Sequence, residues 1–66
     1  MYTLNHNKGS MSFTTSFDAI RAMYLVAEYD SDCDAVFTGT FSEFDRISCI
    51  LDSKGFYSQG FLSICS

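Results

Sequence analysis

The sequence predicts an α+β domain in which two amphipathic helices pack on one face of a small three- to four-stranded sheet. Three observations carry that prediction. The chain has 66 residues, of which 47% are hydrophobic and 17% aromatic, too few for a second domain and too apolar for a disordered segment. Two of its segments repeat apolar residues at three- and four-residue steps, each just after a hydroxyl side chain suited to cap a helix. The stretches around them are short, rich in aromatic and β-branched residues, and broken by glycine, as strands and turns are.

Residues 1–10 read in two ways, because Gly9-Ser10-Met11 suits both a hairpin turn and the join between a leader and a native start at Met11. On the hairpin reading, Tyr2 to Asn5 adds a short edge strand. Met11 to Thr15 then alternates apolar and polar side chains, which predicts a strand leading into the first helix. That helix is expected from Phe17 to about Glu28. Phe17, Ile20, Met23, Tyr24 and Ala27 form its stripe, Thr15 or Ser16 caps it, and Asp18 favours its positive end. Ala35 to Gly39 reads as a further strand. Thr40-Phe41-Ser42-Glu43 has the T-x-x-E form of a capping box and opens a second helix over about Phe41 to Ser53. Phe44, Ile47, Ile50 and Leu51 supply its apolar side, and Lys54-Gly55 its stop. Phe56 to Cys65, interrupted by Gly60, reads as a bulged strand or a hairpin limb.

The two cap-and-helix segments align at a 24-residue offset, with Phe13-Thr14-Thr15-Ser16-Phe17 against Phe37-Thr38-Gly39-Thr40-Phe41. Duplication and convergence on one capping chemistry both account for that likeness. Two copies are too few for a solenoid.

Composition excludes several classes of function. Eight acidic against four basic residues give a net charge of −4, which argues against direct binding of a nucleic-acid backbone. No apolar run approaches the roughly 20 residues of a membrane-spanning helix, and the start lacks a secretory signal, so a soluble protein in an intracellular setting is expected. Cys33, Cys49 and Cys65 lie 16 residues apart without a C-x-x-C pair and read as free thiols. His6, the lone histidine, has no evident partner. With no phosphate loop, paired metal ligands or Ser-His-Asp set, neither an enzyme nor a cofactor is expected. Tyr24, Tyr29, Phe56, Tyr57 and Phe61 suit packing or an interface centre.

The densest chemical feature is acidic. Glu28, Asp30, Asp32 and Asp34 fall within seven residues, and Glu43, Asp45 and Asp52 follow on the second helix. The D-x-D-x-D spacing resembles the opening of an EF-hand loop, but Ala35 and Phe41 stand where that loop needs its Gly and its closing Glu. Read together, the seven carboxylates form a candidate partner-binding surface, against the plainer reading of a solvated turn and helix side. A tiny acidic, aromatic-rich domain bearing these residues resembles the phage-encoded anti-CRISPR inhibitors that mimic DNA, a likeness of size, charge and composition. The resemblance implies a partner that is a basic nucleic-acid-binding protein, such as a CRISPR effector subunit, whose groove takes carboxylates in place of phosphates. It also implies a place in the cytoplasm of a bacterial host cell, with the chain expected as a monomer or a weak homodimer. The alternative is a non-enzymatic adaptor domain that binds through an apolar, aromatic surface.

Overall fold

The computed structural model describes the backbone of all 66 residues and every side chain except that of Ser31. Its elements run β1 (Tyr2–His6), β2 (Gly9–Phe13), α1 (Ser16–Tyr29), a 3-10 turn (Ser31–Cys33), α2 (Phe41–Lys54), β3 (Phe56–Gln59) and β4 (Leu62–Cys65). The strands form one antiparallel sheet in the order β2-β1-β4-β3. Two hairpins therefore flank the helical pair in sequence, and the first strand meets the last in the centre of the sheet. The α+β prediction stands, with four strands.

Register decides which side chains face the helices. Leu4 lies opposite Met11 and Ile64, Tyr57 opposite Ile64, and Gln59 opposite Leu62, so these residues share one face of the pleat. Onto that face α1 delivers Ala19, Ile20 and Met23, and α2 delivers Ile47 and Leu51. All of these helix residues are buried together with Leu4, Leu62, Ile64 and Cys33. The opposite face carries Thr3, Asn5, Ser10, Ser12, Phe56, Ser58, Ser63 and Cys65. None of these is charged, and no helix covers that side.

Both helices have the caps that the sequence predicts. The Thr15 hydroxyl accepts the Asp18 N–H at 3.2 Å, and the Thr40 hydroxyl accepts the Glu43 N–H at 3.2 Å. Gly55, left-handed at φ 81°, ends α2 and sends its N–H to the Leu51 carbonyl. These caps fall 25 residues apart, one more than the offset that aligns the two segments, so the matching stripes do not share a cap register. Tyr24 and Phe44, expected in the core stripes, are half-buried and packed against its rim.

Two expectations are corrected. β1 is not an edge strand, because it pairs with β2 on one side and β4 on the other and contributes the fully buried Leu4. Residues 1–10 thus belong to the fold, and β2 takes the edge. Ala35 to Gly39 is no strand. It runs without regular structure outside the sheet, where Ala35 and Phe37 pack against the core, Phe37 on Tyr24 of α1, while Val36 stays 83% exposed. Its alternation records one side lying on a helix layer, not one face of a ladder, and the N–H groups of Thr38 and Gly39 donate to a side chain.

Candidate interaction surface

The outer side of the helical layer is built around four aromatic rings. Phe17 meets Phe44 with ring centroids 5.1 Å apart, Phe44 meets Tyr24 edge-on at 6.3 Å, and Tyr24 meets Phe37 at 5.1 Å. This chain of contacts ties α1 to α2 and to the segment between them, in the offset and tilted geometries that ring quadrupoles favour. An open groove of about 500 Å³ lies on one side of it, lined by Phe17, Arg21, Tyr24, Phe41, Phe44 and Asp45 among others. A second, of about 530 Å³, lies towards Ala27, Glu28, Val36 and Phe37. Phe17 is 54% and Phe41 85% exposed at the first groove, so two large apolar side chains stand open to solvent there.

Capping chemistry holds the rim in place. Glu43 Oε2 accepts the Thr38 N–H at 3.0 Å and Oε1 the Gly39 N–H at 3.1 Å, while the Thr38 and Thr40 hydroxyls lie 3.2 Å apart. Gly39 occupies the left-handed region at φ 73°. In an ordinary capping box the acid serves the cap residue's own N–H. Here it reaches one and two residues further back, which fixes the approach to α2 and turns Phe41 outward. Burial works against the charge on Glu43, but the two N–H donors and nearby hydroxyls outweigh it, so its pKa lies below the ordinary carboxylate value. The Tyr24 hydroxyl is buried near the Glu43 carboxylate but makes no hydrogen bond of good geometry among the described residues. Burial first, and then the nearby Glu43 carboxylate, push its pKa up to about 12.

The seven predicted acidic residues separate into distinct settings. Asp30, Asp32 and Asp34 lie at the 3-10 turn, beside the tips of both hairpins: Asn7 Nδ2 donates to the Asp32 carbonyl at 3.3 Å and the Phe61 N–H to the Cys33 carbonyl at 2.8 Å. Asp30 Oδ1 caps this turn by accepting the Asp32 N–H at 3.0 Å, and Asp34 closes it at φ 55°. Among the described residues, no three His, Cys, Asp or Glu side chains gather as a metal-binding group. Glu28 and Asp45 are exposed beside the two grooves, and Asp52 is exposed near the end of α2. Glu43 is occupied by the capping contacts.

No protein family, curated protein or solved structure matches the chain. The surface is therefore interpreted from its own residues. Sequence reasoning missed the exposure of Phe17 and Phe41, since periodicity reports the side of a helix a residue faces but not how far the covering layer extends along it. The available signal was position: each Phe falls in the first turn of its helix, Phe17 two residues and Phe41 one residue after the cap. Of the three thiols, only Cys33 fills the role of a small buried hydrophobe, while Cys49 and Cys65 are exposed.

Proposed function

We propose that this protein is a non-enzymatic inhibitor that seats its helical layer on a basic nucleic-acid-binding protein and places carboxylates where that protein takes phosphates. The observation that carries the reading is the segregation of charge. All eight acidic residues fall between Asp18 and Asp52, on the two helices and the segment joining them, and none of the strands carries an Asp, Glu, Lys or Arg. Arg21, Arg46 and Lys54 lie on the same two helices, so the acids are in excess there without being alone, while the strands carry no formal charge; that imbalance biases the negative potential towards the helices and the segment joining them. A CRISPR effector subunit is the partner class that the resemblance in size and charge suggests.

The aromatic groove favours a second reading, in which the same layer is an adaptor that docks chiefly through Phe17, Phe41 and Phe44. Salt separates the two, because charge mimicry weakens steeply with ionic strength and apolar docking does not. The test is displacement of DNA from purified CRISPR effector complexes by the protein across a salt series. Displacement that fades with salt, and that the triple exchange of Asp30, Asp32 and Asp34 to Asn slows, supports charge mimicry. Excess protein that leaves every complex bound to DNA refutes the inhibitor reading.

A further inference from the structure

The geometry points to β2 as the joint between two copies of this chain, paired antiparallel about a two-fold axis at Met11. Edge strands in natural proteins are commonly blunted by charge, proline or a bulge, because their free N–H and C=O groups recruit other strands. β2 reads Gly-Ser-Met-Ser-Phe, pairs with β1 in continuous register over all five residues, and has none of these protections. β3, the other edge, is a residue shorter, and each edge strand has one helix packed against it, α1 on β2 and α2 on β3.

Three observations select a second copy as the occupant. First, a chain of charge −4 repels its own kind, and the sheet is the part of it without formal charge, so two copies meet there with the least repulsion. Second, alternate residues of an edge strand turn their backbone groups outward. An axis at Met11 sets Ser10 opposite Ser12 and Gly9 opposite Phe13, so outward residues meet outward residues whichever alternate set that is. Third, Met11 belongs to the helix-side face yet remains 37% exposed, and on the axis it packs against its own counterpart.

The axis stands perpendicular to the joined sheet, so both helical layers lie on the same side. Three strand spacings of about 4.8 Å would separate the two β1 strands by about 14 Å, wider than the 8–10 Å at which helices pack directly. Met11 with Leu25 and Tyr29, the latter two 49% and 84% exposed on α1, are the large side chains available to fill that seam. The pair would present two anionic layers in one direction, independently of what they bind.

The test is solution mass by light scattering and sedimentation, with Met11 changed to opposite charges. The parent chain should show twice its 7.4 kDa mass. Met11→Lys and Met11→Glu should each fall to the single-chain mass, since each sets like charges face to face on the axis. An equimolar mixture of the two should recover the doubled mass, which also shows that both variants fold. A parent chain that remains single at millimolar concentration overturns the proposal, and so do variants that stay doubled when separate or single when mixed.

Discussion

Replacing Gly60 by Ala tests how the acidic turn is held to the sheet. Gly60 lies in the β3–β4 turn at φ 58°, and a Cβ built there collides with the backbone carbonyl oxygens of Cys33 and Asp34 and comes within 2.7 Å of the Asp34 carbonyl carbon. The obstacle is backbone, so no rotamer change relieves it. Alanine in the left-handed region costs about 1 kcal/mol. Moving the turn away also weakens the 2.8 Å bond from the Phe61 N–H to the Cys33 carbonyl, worth about 0.5–1.5 kcal/mol, and loosens the packing of buried Cys33. A loss of about 2–4 kcal/mol follows, a large share of the roughly 3–10 kcal/mol expected for a domain of this length. Gly39→Ala is the matched control, because Gly39 has φ 73° but nothing within 4 Å of its added Cβ. It should lose only about 1 kcal/mol. Urea titration of both variants measures the difference, and thermal midpoints should fall about 4–8 °C per kcal/mol. If the two variants lose equal stability, the close approach of the turn to the hairpin is wrong.

Ile47→Ala removes a fully buried side chain where α2 meets the sheet and should lose about 2–5 kcal/mol; an unchanged urea midpoint would mean that this side of α2 does not face the core. Glu43 has a lowered pKa, so its contribution is present above the ordinary carboxylate value and disappears as pH falls through the lower folded value. The stability gap between the parent and Glu43→Gln should therefore be widest near neutrality and close on acidification below about pH 4.5, and a gap that persists unchanged to about pH 3 would remove the charged cap.

What the sequence could and could not show divides along the range of the interactions. Helix caps are local: Thr15, Thr40 and Gly55 act within a turn of their own position, so residue type and spacing reveal them, and the helix ends fall within one residue of expectation. Sheet order is not local. β1 owes its central place to pairing with β4 across almost the whole chain, and the alternation of Tyr2, Leu4 and His6 reads the same for a strand with one neighbour or two. The segment from Ala35 to Gly39 failed for the converse reason, since a side chain that lies on a helix leaves the same period-two trace as one that lies on a sheet.

The acidic residues show why composition alone could not define the surface. Equal in charge, they differ in what their oxygens already do. Glu43 spends both oxygens on backbone N–H groups, and Asp30 caps the turn that follows it, so neither is as free to meet a partner as a carboxylate without such contacts. Glu28 and Asp45 stand exposed beside the grooves that flank Tyr24. On the proposed reading, charge reversal at these two positions should weaken partner binding directly, whereas reversal at Glu43 would first release the approach to α2 and with it the placement of Phe41. An exposed Phe beside the Thr40–Glu43 cap and bordered by Asp45 joins apolar area to negative charge at one place. It is that conjunction, more than the number of carboxylates, that distinguishes the helical layer from an ordinary solvated surface.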